Sequence, residues 1–369
     1  MRSSTSGCVD WLASAVHAGT VPVVPEGMHP DDVAAAAEEH GIAALLWQAL
    51  DGSTGNVAAV RRALDVSTRA AVGRETFVQR ELSTVLAALD AHGVSSLVIK
   101  GAALAYTSYP RPWLRPRVDT DLLVSAAAVR TASTVLSACG YVRSDALNTA
   151  SLVTHQIAFE RVDEHDINHV VDLHWKIANP QVVADAVSFE DLWMRARSAP
   201  ALGPAARVPG IAESIMLACV HRLAHHQGHD RLIWLYDLKL LSSQLDNTQW
   251  DALCSLAVAR GIAALCLDGL REARARVGGS LPPAAELALA AAAPNEESRS
   301  YVQQRVRKRD VLVSDLRLLD WGSRLQLVRG HLFPPAAFIR HRYRTKHRLL
   351  LPAFYLHRLL TGASRWVSG

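Results

Sequence analysis

Two aspartates stand close together near the middle of the chain. Asp119 and Asp121 flank Thr120 and are followed by the apolar run Leu-Leu-Val. Alternate residues of an extended strand face the same side, so both carboxylates share one face. Like charges in apolar surroundings are costly unless a cation binds them, and carboxylates combined with substrate phosphate oxygens suit Mg²⁺ or Mn²⁺. We therefore predict that these aspartates bind a divalent cation, although the Asp-x-Asp pattern alone is also common in solvated surface turns.

A third acid, Asp172, is the best candidate to complete such a metal cluster. It lies in the apolar run Val171-Asp172-Leu173-His174-Trp175, which reads as a strand. His174 is two residues further on and projects from the same face, where it is a possible substrate contact. The alternative for Asp172 is a buried acid that caps a neighbouring backbone.

A glycine upstream of the acidic pair could bind phosphate. Gly101 follows the short apolar run 96–99, a predicted strand, and precedes a predicted helix over 102–106. A junction of this kind lets backbone N–H groups approach a phosphate. We predict that Lys100, Gly101 and Ala102 bind the phosphates of a nucleotide, with Lys100 as the cation.

Arginines precede the acidic pair. Arg115 could bind a triphosphate or neutralise charge in the transition state, and the same role is weaker for Arg117. The alternative is that each forms a structural salt bridge with Asp119 or Asp121.

A group of histidines follows in the second half of the chain. His221 and His225 are four residues apart and share a helix face, as zinc ligands can. His229 and Asp230 form a pair typical of metal-dependent phosphohydrolases. A histidine-metal phosphohydrolase built on residues 221–237 is therefore one functional hypothesis. Against it, no H-E-x-x-H pattern is present, and histidines often line clefts or helix contacts. A substrate contact by His221 or His225 is the preferred functional interpretation.

One acid lies within an apolar helical segment. Asp237 follows Trp234 and Tyr236, and a buried acid there needs a partner. We expect a structural ion pair with Arg231; the alternative is a contact with nucleotide or acceptor. Trp234, like Trp175, is expected to pack in the core rather than to stack on a base.

Hydrophobic periodicity predicts an α+β fold with a small mixed sheet and flanking helices. Residues 1–93 form an N-terminal helical region, 94–200 the core with the sheet, 201–300 a second helical region and 301–369 a basic helical tail. The predicted strands are 96–99, 118–124, 157–159 and 170–177. The predicted helices are 32–50, 74–92, 126–138, 211–225, 232–245, 253–260 and 284–293.

Composition excludes several classes of protein. Of 369 residues, 50% are hydrophobic and 20% charged, which excludes a disordered chain. The five cysteines form no C-x-x-C pair, so neither a disulfide framework nor a thiolate zinc site is indicated. We expect a cytoplasmic protein without a membrane span.

Charge is distributed unevenly along the chain. Residues 301–369 carry a net charge of +11, whereas residues 1–300 carry −7. The basic tail is a possible contact for nucleic acid, an acidic protein or a membrane surface, and the alternative is a solvated helical face.

Four motifs together resemble an uncharacterised bacterial nucleotidyltransferase family within the polymerase β-like superfamily. They are Ile-Lys-Gly-Ala-Ala-Leu at 99–104, Arg-Pro at 115–116, Asp-Thr-Asp-Leu-Leu-Val at 119–124 and Asp-Leu-His-Trp at 172–175. The resemblance also includes the segment 32–50 and the helices with His221, His225 and RLIWLYDL at 231–238. It covers roughly residues 30–260.

The resemblance implies a nucleotidyltransferase fold whose cleft is closed by the helical region that follows. It implies transfer of a nucleotide from an NTP, with Mg²⁺, to an acceptor that the family leaves open; we favour a hydroxyl of a small molecule or a peptide. Two features depart from the wider superfamily: Ala102 replaces a Gly or Ser, and 16 residues separate it from Asp119. A catalytically silent nucleotide-binding protein is therefore the second hypothesis.

Overall fold

The computed structural model describes most of the chain. The described residues are 2–17, 23–25, 27–144, 155–226, 230–303, 313–314, 316–317, 319, 321–334, 336–343, 345 and 347–368.

Helices make up most of the described structure. Those before the last strand of the main sheet are α1 Arg2–His17, α2 Pro30–Glu39, α3 Ala43–Ala49, α4 Gly55–Ala63, α5 Asp65–Ala91, α6 Lys100–Thr107 and α7 Val129–Ala138. Those after it are α8 Gln181–Ala184, α9 Phe189–Met194, α10 Ile211–His226, α11 Leu232–Ser242, α12 Asn247–Ala259, α13 Ala263–Val277, α14 Pro283–Ala292, α15 Ser300–Gln303, α16 Trp321–Leu332, α17 Ala336–Arg342 and α18 Leu351–Ser368.

The main sheet has five strands in the order β1-β2-β5-β4-β3. Their bounds are β1 Ser96–Ile99, β2 Thr120–Val124, β3 Val142–Arg143, β4 Gln156–Val162 and β5 Asn168–His174. The sheet is mixed, because β2 and β5 run parallel while the other neighbours run antiparallel. A separate two-stranded ribbon joins β6 Arg197–Ser198 to β7 Arg207–Val208.

The central strands are covered on both faces, which explains their continuous apolar runs. Leu97, Ile99 and Leu123 belong to one hydrophobic cluster, which extends from the N-terminal helices to α14. Val98 and Leu122 point the other way, into a second cluster with α5 and α7. Alternation along each strand thus places odd-numbered β2 side chains on the side of the larger core.

The predicted fold class is confirmed, and the predicted elements differ mainly at their ends. The helix expected over 32–50 is two helices, α2 and α3, because Gly41 adopts φ +69° between them. The helix expected over 74–92 begins earlier, at Asp65. The sequence does not delimit α1 or α13, although they lie within the predicted helical regions 1–93 and 201–300.

Among the described residues, no helix combines the length and apolar content needed to cross a lipid bilayer.

Candidate active site

Strand pairing brings two of the predicted acids side by side. In the parallel register of β2 and β5, Asp121 lies opposite Asp172. His174, two residues along β5, places Nε2 2.8 Å from Asp121 Oδ1. Among the residues that the structure describes, Asp121, Asp172 and His174 form the only group of three acidic, histidine or cysteine ligand atoms within 4.8 Å of one another. The predicted convergence of Asp172 on Asp121 is therefore present.

Asp119 lies at the start of this arrangement. It directly precedes β2, which begins at Thr120 rather than at Val118. Its side chain lines the same cavity as Asp121 and Asp172, but it is not part of the tight group of three. Asp119 is thus close enough for Asp121 to influence its pKa, although it lies outside the group of three.

Lys100 supplies the positive charge inside this group. Its ammonium donates to Asp121 Oδ1 at 2.6 Å and lies 3.5 Å from His174 Nε2. Both side chains of the Lys100–Asp121 pair are about nine-tenths buried. Lys100 also has φ +56°, an uncommon conformation for a non-glycine residue, at the point where β1 turns into α6. The turn holds the ammonium over the acidic strand.

The charges of the group shift its pKa values in opposite directions. Burial alone would raise the pKa of Asp121, but Lys100 and His174 outweigh it and hold that pKa well below its usual range. Burial and then the neighbouring carboxylates raise the pKa of Asp172 to about 7. The same two causes raise the pKa of Asp119, while burial and Lys100 lower the pKa of His174. Asp121 thus stays ionised, whereas Asp172 titrates near neutral pH.

A buried ion pair lies against the turn that contains Gly101. Arg115 donates to both carboxylate oxygens of Asp237, with Nη2 to Oδ2 at 2.8 Å and Nε to Oδ1 at 2.9 Å. The Tyr109 hydroxyl donates to the same Oδ1 at 2.7 Å. A Cβ on Gly101 would lie only 3.2 Å from the Arg115 guanidinium, so the residue at this position must be small. Gly101 therefore lets the turn pack closely against the Arg115 guanidinium.

The structure pairs Asp237, Arg115 and Arg117 with partners other than those considered from the sequence. Asp237 pairs with Arg115 and not with Arg231, which precedes α11 and instead donates to the Glu39 carbonyl oxygen at 2.8 Å. Arg231 is six positions before Asp237, so helical spacing does not bring the two side chains together. The salt bridges considered for Arg115 and Arg117 are also absent, because neither arginine pairs with Asp119 or Asp121. Arg117 donates to Glu75 at 2.7 Å.

The acids open into a cavity of about 600 Å³. One end is formed by Lys100, Gly101, Asp119, Asp121 and Asp172. Leu104 of α6, Gln156 of β4 and the loop residues 115–118 also line the cavity, and the rest of its wall comes from α2, α3, α5, α10 and α11. The residues that line this last part are Glu38, Gly41, Ala43, Ala44, Ser67, Thr68, Ala71, Ser214, Leu217, Ala218, His221, Arg231, Trp234 and Asp237. The cavity thus lies between the sheet and helices that precede and follow it in the sequence.

Two further residues show what the sequence did and did not reveal. Ala102 is 1% exposed and packs in the second hydrophobic cluster, so only its backbone remains for a phosphate. Gln156 was not predicted; it lines the cavity, and its amide donates to Asp172 Oδ2 at 3.3 Å. Its only sequence signal is its place at the start of the strand before Asp172.

The histidine segment is only partly described. His221 lines the cavity, with its ring edge-on to Trp234 at 5.7 Å between centroids. Trp234 packs in the larger core and also lines the cavity, whereas Trp175 packs against His155. The side chain of His225, and the whole of His229, lie outside the described residues.

The proposed phosphohydrolase pair has a structural role in its described half. Asp230 accepts two hydrogen bonds from the buried Arg222, at 2.6 and 2.8 Å. That ion pair gives Asp230 a structural role that requires no bound metal.

The acidic group fits a divalent cation. Asp121 and Asp172 offer hard carboxylate oxygens, the ligands that Mg²⁺ and Mn²⁺ favour. His174 fits less well as a ligand, because a hydrogen must lie between its Nε2 and Asp121 Oδ1 at 2.8 Å. We therefore assign His174 to orienting Asp121, with Asp119 as the further carboxylate within reach.

Comparison with known families agrees with this geometry. A protein-family model described as an uncharacterised nucleotidyltransferase matches residues 26–278. A search of curated proteins finds no match. The matched segment is more than half of the chain and contains every residue that lines the cavity. The chain therefore belongs to this family of uncharacterised nucleotidyltransferases.

Proposed function

We propose that this protein transfers a nucleotide from an NTP to a hydroxyl of a small molecule or a peptide, and releases pyrophosphate. The observation that carries the proposal is the parallel register of β2 and β5, which sets Asp121 beside Asp172 under the Lys100–Gly101 turn. Acids and a phosphate-binding turn at one end of a cavity are what a metal-bound triphosphate requires. The cavity volume of about 600 Å³ is in the range of small-molecule sites.

Asp119, Asp121 and Asp172 would hold Mg²⁺ or Mn²⁺ in this proposal. When bound, the cation supplies electrostatic stabilisation of the charge on the reacting phosphate. The acceptor oxygen attacks the α-phosphorus, the bond between the α- and β-phosphates breaks, and pyrophosphate leaves. Asp172 lines the cavity beside Asp121 and would help to activate the acceptor hydroxyl by accepting its proton.

Lys100 has two anionic partners available in this proposal. Its ammonium neutralises Asp121 through the 2.6 Å contact, at an oxygen that a cation would also use. A triphosphate held at the Gly101 turn offers the ammonium an alternative anion. We infer that Lys100 leaves Asp121 for the phosphates when nucleotide and metal bind together, which couples the two binding events.

The experiment that tests the function uses labelled nucleotides. The protein is incubated with Mg²⁺ and each NTP labelled at the α-phosphate, together with small-molecule and peptide fractions of a cell extract. We expect pyrophosphate release and transfer of the label to an acceptor, both lost in Asp121→Asn and retained in the exposed control Asp251→Asn. Binding of NTP without pyrophosphate release would instead support the silent nucleotide-binding protein.

A further inference from the structure

The C-terminal segment has an unusual charge. Residues 321–369 contain nine Lys and Arg and no Asp or Glu. This segment lies beyond residue 278, where the family match ends. The segment therefore carries a formal charge of +9, which attracts anionic surfaces.

One helix of this segment exposes an apolar stripe. In α16, Trp321, Leu325, Val328 and Leu332 recur at spacings of four, three and four, which places them on one helix face. Trp321 is 82% exposed and Leu325 72%. Leu327, on the opposite side of the helix, is fully buried, so α16 packs through that side and leaves the stripe outside.

Cations border the stripe, and further leucines of the segment are exposed. The Arg324 guanidinium lies 5.2 Å from the centre of the Trp321 ring, and Arg329 is exposed on the same helix. Leu349, Leu350 and Leu356 are exposed as well, before and within α18. A contiguous row of exposed apolar residues such as the stripe of α16 is typical of an interaction surface.

We propose that residues 321–368 dock the protein on the surface of an anionic lipid membrane. An amphipathic helix with a basic border and Trp or Leu on its apolar face binds in the interfacial plane by combining apolar burial with attraction to acidic headgroups. Nucleic acid would satisfy the cations but would leave the aliphatic stripe in water. The membrane satisfies both, and the docking is independent of the chemistry at the cavity.

The test is co-sedimentation of the full chain with lipid vesicles. The probes are phosphatidylcholine vesicles with and without about 30% phosphatidylglycerol. We expect binding to the anionic vesicles alone, weakened by added salt because the attraction is screened. Leu325→Glu should weaken this binding by about tenfold or more, since it puts a charge in place of a leucine that the membrane would bury. The double variant Arg324→Gln with Arg329→Gln should bind more weakly at low salt.

Leu287→Glu is the matched control, because Leu287 is also a leucine that is 72% exposed in a helix, α14, outside the segment. It should bind vesicles as the unaltered protein does, and both leucine variants should keep the unaltered melting temperature. Equal binding of neutral vesicles, unchanged binding by Leu325→Glu, or binding of a single-stranded oligonucleotide in place of vesicles would overturn the proposal.

Discussion

At the scale of single residues, Asp121 is where the site's interactions meet. It is paired across the sheet with Asp172, accepts a hydrogen bond from Lys100 and contacts His174 through one oxygen. A carboxylate that is already neutralised by an ammonium binds a divalent cation only in competition with it. This competition distinguishes the site from an open cluster of acids.

Replacement of Lys100 tests that competition. Lys100→Met removes the ammonium from Asp121 Oδ1, so we expect Mn²⁺ to bind several-fold more tightly in the absence of nucleotide. The affinity for NTP should fall, by roughly tenfold, because a charge-assisted phosphate contact is lost. Both affinities are measured by the electron paramagnetic resonance signal of free Mn²⁺, with Lys239→Met as the control for loss of a lysine. Weaker Mn²⁺ binding by Lys100→Met without nucleotide would contradict the assignment.

The raised pKa of Asp172 predicts how stability depends on pH. The folded protein keeps the Asp172 proton up to a pKa of about 7, whereas the unfolded chain releases it near its ordinary value. The stability from this group is therefore fully present below pH ~4 and is lost as the pH rises through about 7. Asp172→Asn, which does not titrate, lacks this loss.

Urea unfolding with EDTA, from acid to mildly alkaline pH, measures the effect. The free energy of unfolding of the unaltered protein should fall relative to that of Asp172→Asn, by on the order of 1–4 kcal/mol. The exposed Asp251→Asn variant should show no such relative change. Parallel curves for the unaltered protein and Asp172→Asn would show that Asp172 titrates normally.

At the scale of elements, the Arg115–Asp237 pair joins the loop that precedes β2 to α11. The pair is fully buried, and Arg115 lies against the turn that begins α6. Burial alone would lower the pKa of Arg115, but Asp237 outweighs it and keeps the guanidinium charged. The helical wall of the cavity and the Lys100–Gly101 turn thus share one ionic anchor.

Loss of the anionic partner should therefore be costly. Asp237→Asn leaves a buried guanidinium without its counter-charge, and we expect a loss of about 3–5 kcal/mol in the free energy of unfolding. Urea unfolding measures it, again beside Asp251→Asn. The double variant Arg115→Met with Asp237→Leu should recover part of the loss, since it removes both charges. Equal stabilities of Asp237→Asn and Asp251→Asn would contradict the anchor.

The sequence predicts those parts of the site that are local along the chain. The strand, glycine and helix at 96–107 and the two acids before Leu122 each depend on neighbouring residues. The partner of Asp237 could not be predicted, because Arg115 is 122 positions away and only the folded chain joins them. Gln156 was missed for a similar reason, since its contact with Asp172 requires the pairing of β4 with β5.

At the scale of the whole molecule, the larger of the two hydrophobic clusters borders the cavity. Buried residues from Cys8 to Tyr301 form a single cluster that includes the sheet face below Asp121. The N-terminal helices α2 and α3 and the later helices α10 and α11 line the cavity from opposite ends of the sequence. The regions proposed from the sequence at 1–93 and 201–300 therefore both contribute to the wall of the site.

The most direct test of the account measures metal binding in the presence of nucleotide. Mn²⁺ is titrated into the protein with a non-hydrolysable NTP analogue and followed by electron paramagnetic resonance. Tight binding by the unaltered protein and by Asp251→Asn, with at least about tenfold weaker binding by Asp121→Asn and by Asp172→Asn, is the predicted result. Mn²⁺ binding that both site variants retain in full would contradict the claim that these two acids hold the metal.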